Sequence, residues 1–280
     1  MKTLREKAGE GGAQVASMQT LEKQVKYGSF LEQLKTAEQR VLLLDYDGTL
    51  APFRAARDHA FPYPGIPYLV SRIMSVGTRV VMVSGRRAEE VAALSGIRPQ
   101  PEIWGSHGLE RITVDGTYSV ADLEPHKLTG LSQASLWLNE EGMTRAAEFK
   151  PGSVAAHWRG LPAPETVEMR RKILESWLKI SEDYQLELLD FDGGIEIRVP
   201  GHDKGQAVET ILNETVWPAS VAYLGDDQTD EDAFQVLKGK GLAVLVRDRV
   251  RETAADVWLK PPDELIEFLE NWLIASGGTR

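Results

Sequence analysis

The chain has 280 residues, 42% of them apolar and 26% charged, with a net charge of −10 and no cysteine. That is enough chain for a large core in one or two domains, and the composition is that of an ordinary globular protein. The missing cysteines exclude disulfides, thiolate-bound zinc and a cysteine nucleophile, and the acidic balance argues against nucleic acid, which wants a basic face.

No apolar run is long enough to span a membrane. The start, M-K-T-L-R-E-K-A-G-E-G-G, lacks the apolar core of a secretory signal, so a cytoplasmic location is the default expectation. Residues 1–36 read as a polar leader with weak helical periodicity from Met18 to Leu34, a surface helix. Val41 to Leu44 are four consecutive apolar residues, the pattern of a strand buried on both faces of a parallel sheet. They run straight into Asp45-Tyr46-Asp47-Gly48-Thr49-Leu50. Two carboxylates one residue apart repel each other and are costly to desolvate at a buried strand end. A cation or a charged substrate would relieve that cost, and a plain Asp-Gly turn would account for the residues equally well.

The loop from Ala51 to Pro67 holds Pro52, Pro62, Pro64 and Pro67, too many prolines for regular structure, and a helix is expected from Pro67 to about Val76. Arg79–Val83 reads as a second buried strand, ending in Ser84-Gly85-Arg86-Arg87 before a helix over Ala88–Leu94 that Gly96 closes. That junction could hold an anion on backbone N–H groups, or Ser84 could simply cap the helix. A short strand, Glu102–Trp104, leads into Gly105-Ser106-His107-Gly108, a tight loop around a histidine.

From about Arg111 the pattern changes. Arg111–Val114 and Thr117–Val120 flank Asp115-Gly116 as a hairpin. A helix at about 128–142, strands near 145–150 and 154–159, a helix at about 165–181 and strands at 185–190 and 194–198 follow. Hairpins interleaved with helices indicate an α+β module inserted in the α/β pattern. Lys150, His157 and Arg159 gather on its middle strands. Glu196 and Arg198 share one face of the last, where a solvated outer surface with cross-strand charge pairs is the general expectation.

Lys204 opens the next helix, where the dipole favours an anion; a lysine so placed suggests that it joins the helix end in binding one. Ser220–Leu224 is another buried strand, followed by Asp226, Asp227, Asp230, Glu231 and Asp232, five acids in seven residues. Helix capping needs one or two. Leu242–Val246 and Val257–Leu259 are short strands, and 263–274 is an amphipathic helix.

Each unusual polar cluster therefore stands at the C-terminal end of a strand or the start of the next helix. In an open parallel sheet those ends line one crevice, so four independent capping accidents are the poorer explanation. Several carboxylates, a lysine and a serine, with no essential histidine or cysteine, suit Mg²⁺ and a transferring phosphoryl group, with an aspartate as nucleophile. There is neither G-x-x-x-x-G-K-[ST] nor G-x-G-x-x-G after a strand.

D-Y-D-G-T-L, V-S-G-R, D-K-G-Q-A and L-G-D-D-Q-T-D-E-D-A-F, in that order, resemble the four motifs of the haloacid-dehalogenase-like phosphatases. With G-S-H-G at 105–108 and E-I-R at 196–198, the chain is similar over roughly 37–270 to the trehalose-6-phosphate phosphatases. The resemblance implies a Rossmann-like parallel-sheet core at 37–113 and 199–280, an α+β cap at 114–198 that sets substrate specificity, and the leader at 1–36. It implies Mg²⁺-dependent hydrolysis of trehalose 6-phosphate through an aspartyl-phosphate. Asp45 would be the nucleophile and Asp47 the proton donor and then base. The metal would be held by Asp45, the Asp47 backbone carbonyl and Asp226, with Asp227 close by. Gly48, Thr49, Ser84, Gly85 and Lys204 would hold the phosphate, with Asp230 orienting Lys204. Arg86, His107, Gly108, Lys150, His157, Arg159, Glu196 and Arg198 would meet the sugar. Functional coupling to a trehalose-phosphate synthase is a further implication. Sucrose phosphate or a glycosyl-glycerate phosphate is the alternative substrate, and a non-catalytic sugar-phosphate-binding domain is the alternative class.

Overall fold

Apolar runs such as V-L-L-L and R-V-V-M-V have no polar face, so they can be buried only between two layers. The computed structural model describes residues 25–54, 56–158, 160–191 and 193–279, with residues 25–36 helical (α1). The leader before residue 25, including the expected helix start at Met18, lies outside the described residues, as does Arg159. In chain order there follow β1 (Gln39–Leu44), α2 (Ile66–Ser75), β2 (Arg79–Val83), α3 (Ala88–Ser95), β3 (Glu102–Gly105), β4 (Glu110–Ile112) and β5 (Tyr118–Val120). Next come α4 (Pro125–Glu140), β6 (Ala147–Lys150), β7 (Ser153–His157), α5 (Ala163–Tyr184), β8 (Glu187–Phe191) and β9 (Gly194–Arg198). The chain closes with α6 (Lys204–Glu214), β10 (Ala219–Gly225), α7 (Glu231–Leu237), β11 (Leu242–Val246), β12 (Val257–Leu259) and α8 (Asp263–Ala275).

The large sheet has eight strands in the order β12-β11-β10-β1-β2-β3-β4-β5. All pairings from β12 to β3 are parallel. Alternate residues of β1 point into different layers, as a strand's twofold period requires. Leu42 and Leu44 pack with Ile66, Val70, Phe268 and Trp272 on one side, whereas Val41 and Leu43 pack with Val208, Ile211 and Phe234 on the other. None of Val41 to Leu44 is more than 2% exposed. The chain leaves β1 for β2 and β3 on one side, and later returns to β10, β11 and β12 on the other. The strand order thus reverses at β1, and the crevice beyond its C-terminal end is the switch point where ligands bind in such sheets.

The second sheet is antiparallel, in the order β6-β7-β9-β8. Val154, Ala156, Ile195 and Ile197 turn one face of it to Leu131, Ile173 and Trp177 of α4 and α5. The other face carries Ser153, Glu196 and Arg198. Among the described residues no helix is long and apolar enough to cross a membrane.

Two expectations need correcting. The hairpin at 111–120 does not begin the inserted module: β4 pairs antiparallel with β3, and β5 with β4, extending the core sheet. The expected boundary at 114 falls inside that hairpin, and the insert begins with α4. Period-two alternation shows that a hairpin exists but not which sheet it joins; burial of Glu110 and Ile112 beside β3 decides that. Nor is the face carrying Glu196 a solvated surface. Glu196 is 8% exposed, because that face is turned toward the core's crevice.

Candidate active site

The site is built where β1 ends. The Asp45 N–H still donates to the Leu224 carbonyl at 2.9 Å, so the nucleophile candidate is fixed by the sheet itself. The chain then turns at Gly48, whose φ is +81°, and a Cβ there would lie 2.2 Å from Asp226 Oδ2. Only glycine lets the β1 and β10 ends approach this closely.

Asp45 is 2% exposed. Its Oδ1 accepts from Lys204 Nζ at 2.6 Å and its Oδ2 from Thr49 Oγ1 at 3.2 Å. Lys204 also donates to Asp230 Oδ1 at 2.8 Å. The odd position of this lysine at a helix start is resolved by Asp203, whose carboxylate caps α6 by accepting from Gln206 N at 2.8 Å. The ammonium is thereby free to reach between two acids. Burial alone would favour neutral Lys204, but Asp230 and Asp45 outweigh it and hold the lysine pKa above its ordinary value.

Asp230 is saturated. Its Oδ1 accepts from Lys204 and from Tyr223 OH (2.5 Å), and its Oδ2 from the backbone N–H groups of Asp226 (3.0 Å) and Asp227 (2.9 Å). Asp45, Asp226 and Asp230 bring carboxylate oxygens within 4.8 Å of one another. With four donors already on it, Asp230 has no lone pair to spare, which leaves Asp45 and Asp226 as the members of the trio able to ligate. Burial, with Asp45 and Asp230 added, pushes Asp226 up to about 9. Burial likewise pushes Asp45 up to about 7, against the pull of Lys204. Two buried carboxylates held out of their ordinary range are a demand for a cation, and an all-oxygen donor set fits Mg²⁺. Asp227, expected close to the metal, lines the same cavity as Asp45 and Asp226, with its exposed carboxylate 3.7 Å from Arg247.

Asp47 stands across the crevice in a two-pronged ion pair: Arg86 Nε to Oδ2 at 2.5 Å and Nη2 to Oδ1 at 2.6 Å. Arg86, expected on the sugar, is 3% exposed and fully engaged, its Nη1 donating to the Arg57 carbonyl at 2.8 Å. It orients Asp47 and lines the same cavity as Asp45 and Lys204. Each Asp47 oxygen accepts one donor from Arg86 and keeps a lone pair free toward the crevice.

Ser84 does not cap α3. The capping position is Arg87, without a side-chain bond, and Ala88 N donates instead to Glu110 Oε2 at 3.2 Å. The Ser84 hydroxyl accepts from Arg86 N at 3.2 Å and faces the cavity, as an anion cradle requires. Gly85 sits under His107, whose Cε1 and Nε2 would be 2.7 Å from any Cβ there. Ser106 (φ 48°) and His107 (φ 57°) are both left-handed, a strain that needs local compensation. It is compensated by Ser106 N to Arg86 O (2.7 Å), His107 N to Ser84 O (3.0 Å) and Ser106 Oγ to Glu110 Oε2 (2.5 Å). His107 is driven well below its ordinary pKa by burial and by Lys150 and Lys204, so it lines the cavity as a neutral ring. Gly108 packs against Ala207 of α6.

The roof of the site is the second sheet. Lys150 shares a cavity of about 210 Å³ with Asp45, Asp47, Ser84, His107 and Lys204. Its Nζ is 3.5 Å from Glu148 and 3.9 Å from Glu196. Ser153 Oγ donates to Glu196 at 2.7 Å, and His157 Nε2 lies 2.8 Å from Glu148 Oε2. Arg198 pairs with Glu187 at 3.2 Å. Glu148, Arg57, Glu110 and Tyr223 belong to this site and went unnoticed in the sequence. Glu148 had a weak signal, an acid two residues before Lys150 on the same strand face; a lone acid, arginine or tyrosine elsewhere carries none.

The parallel core and the inserted antiparallel sheet form a fold shared with a solved haloacid dehalogenase-like hydrolase from Bacteroides thetaiotaomicron, at a TM-score of 0.57 and 15% identity. The trehalose-phosphatase family model matches residues 43–257, and the chain belongs to that family. It is 29% identical over 263 residues to a probable trehalose-phosphate phosphatase C of Arabidopsis thaliana, covering 86% of this chain and 79% of that one. It is also 29% identical over 249 residues to a trehalose-phosphate phosphatase of Mycobacterium tuberculosis, covering 84% of this chain and 61% of that protein's length. In structure it is similar to the C-terminal domain of the C. albicans trehalose-6-phosphate phosphatase, with a TM-score of 0.69 at 20% identity, covering 90% of this chain and 97% of that one.

Proposed function

We propose that this chain is a Mg²⁺-dependent phosphatase that converts trehalose 6-phosphate to trehalose and phosphate. The observation that carries the reading is the Asp45–Lys204 pair at 2.6 Å, with Asp47 held two residues on by Arg86 at the switch point of the sheet. An Asp45 carboxylate oxygen attacks phosphorus, and the P–O bond to the sugar breaks. Asp47 gives its proton to the leaving sugar oxygen. Water then attacks the aspartyl-phosphate while Asp47 takes a proton back, and phosphate leaves with Asp45 restored. Lys204, the Ser84 hydroxyl and the backbone at Gly48, Thr49 and Gly85 hold the phosphoryl oxygens through both steps.

Asp45, the Asp47 carbonyl and Asp226 would hold the metal. When bound, Mg²⁺ supplies positive charge to the phosphoryl oxygens and removes the repulsion between Asp45 and Asp226. The sheet from β6 to β9 acts as the cap, and its Lys150, Glu148, Glu196 and His157 meet the sugar hydroxyls. A sugar phosphate is charged and does not cross membranes unaided. The reading therefore puts this enzyme in the compartment of the synthase that makes its substrate, which we take to be the cytoplasm.

The test is a panel of sugar phosphates, trehalose 6-phosphate, sucrose phosphate and a glycosyl-glycerate phosphate among them, compared by kcat/KM with and without Mg²⁺. Trehalose 6-phosphate is expected to lead and chelation to stop turnover. Asp45→Asn should lower kcat by about four orders of magnitude or more, as loss of a nucleophile does. A folded Asp45→Asn protein that still turned over would sink the mechanism, and a better substrate than trehalose 6-phosphate would sink the specificity.

A further inference from the structure

We propose that Arg57 is a positioning residue that ties the sugar-facing side of the cap to the proton-donating carboxylate of Asp47. This rests on the roles given above to Asp47 and the cap face. Arg57 lies in the proline-rich loop after β1, in a short 3-10 turn over Arg57–His59, and its side chain lines the same cavity as Asp45, Asp47 and Lys150. It works at both ends. Its backbone carbonyl accepts from Arg86 Nη1 at 2.8 Å, and Arg86 grips Asp47 with its other nitrogens. Its guanidinium reaches up to Glu148 Oε2 at 2.6 Å.

Among the ion pairs of the described residues, Arg57–Glu148 is the one that joins the core to the four-stranded sheet. Glu148 is the hub of the cap face. His157 shares the same oxygen at 2.8 Å and Lys150 approaches the other at 3.5 Å. One continuous polar chain therefore runs Asp47, Arg86, Arg57, Glu148, Lys150, Glu196, from the reacting phosphoryl end to the sugar end. Its central member is anchored through its main chain on one side and its side chain on the other. A sugar that seats Glu148 and Lys150 correctly also fixes the turn whose carbonyl holds Arg86, and so Asp47. Binding energy from the non-reacting part of the substrate is thereby converted into orientation at the reacting atoms.

The experiment compares wild type, Arg57→Ala and Arg57→Lys on trehalose 6-phosphate and on p-nitrophenyl phosphate, which has no sugar hydroxyls for Glu148 or Lys150. Arg57→Ala is expected to lower kcat/KM for the sugar phosphate about tenfold more than for the aryl phosphate, mostly through kcat; tenfold corresponds to about 1.4 kcal/mol. Arg57→Lys should recover most of that ratio by restoring the charge. Glu148→Gln should cost a similar factor alone and little more in the Arg57→Ala background, because the two residues act as one pair. Equal losses on both substrates would overturn the proposal, since Arg57 would then serve only the loop or Asp47. An unchanged ratio would overturn it too. So would a lower KM, which would mean that Arg57 competes with the sugar for Glu148. If wild type hydrolysed p-nitrophenyl phosphate but not trehalose 6-phosphate, the substrate reading would fall. The Arg57 ratio would then be read on the best substrate of the panel.

Discussion

The floor and the roof of this site are built differently. In the floor, Asp45, Lys204, Asp226, Asp230 and Arg86 are each at most 4% exposed. Their positions are fixed by strand ends, by a helix cap and by backbone N–H groups. In the roof, with the core arginine that reaches up to it, the side chains of Glu148, Lys150, His157 and Arg57 are between 10% and 39% exposed, and they meet at one carboxylate. Phosphoryl chemistry is the same for every phosphate ester and repays rigid, dry, fully paired groups. Sugar recognition depends on the substrate and is served by partly wet side chains on a separate sheet. The difference teaches that damage to the floor should cost turnover and stability together, whereas damage to the roof should cost action on the sugar phosphate with little change in stability.

The sharpest way to break that contrast is Lys204→Met. It leaves two buried carboxylates facing each other without their cation, so turnover should be lost and stability should fall by about 3–5 kcal/mol. Urea unfolding with and without Mg²⁺ checks the second part. If only activity fell, the floor would be less tightly coupled than its geometry implies.

Lys150→Ala is the matched cut in the roof. KM for the sugar phosphate should rise roughly tenfold, with Tm moved by no more than about 2 °C. A loss of kcat as large as that of Lys204→Met would erase the distinction between the two regions.

The smallest effect concerns pH. Asp45 and Asp226 are raised, to about 7 and about 9. A carboxyl raised by folding contributes stability that is present below its unfolded pKa and is lost as pH rises through the folded value. In chelator, the stability gain of Asp226→Asn over wild type should therefore grow from about pH 6 to about pH 9, by a few degrees in Tm. Mg²⁺ should raise the wild-type Tm more at the alkaline end, and its binding should release protons, measurable by calorimetry in buffers of different ionisation enthalpy. A Mg²⁺ effect that shrank as pH rose would contradict the assignment of the two ligands.

Much of the floor was legible because it obeys local rules. Val41 to Leu44 can only be a doubly buried strand, and acids at its end demand an explanation. Five acids after Leu224 exceed what capping needs. The division of labour among them was not legible from local rules and came only from the family resemblance, which put Asp226 on the metal and Asp230 on Lys204. Asp227 and Asp230 look equivalent in sequence; the turn after β10 exposes one and sets the other under two N–H groups, a tyrosine and a lysine. Nor does anything local say that the partner of Arg86 is Asp47, 39 residues earlier. The roof was less legible still. Glu196 alternates with Arg198 as an exposed charge pair would, and only the core beneath that face makes it a buried one.

The sequence by itself therefore determined the chemistry available: which side chains end the buried strands, that they are acids, a lysine and a serine, and that an α+β segment interrupts the core. Periodicity and strand-end position are local properties, and they survive without knowledge of what lies opposite. The tertiary structure alone decided partners: that Lys204 reaches Asp45, that Arg86 holds Asp47, that the 111–120 hairpin belongs to the core, and that Arg57 reaches Glu148. Those contacts join residues up to 159 apart in the chain. They exist because the strand order reverses at β1 and brings otherwise unrelated loop ends into one crevice.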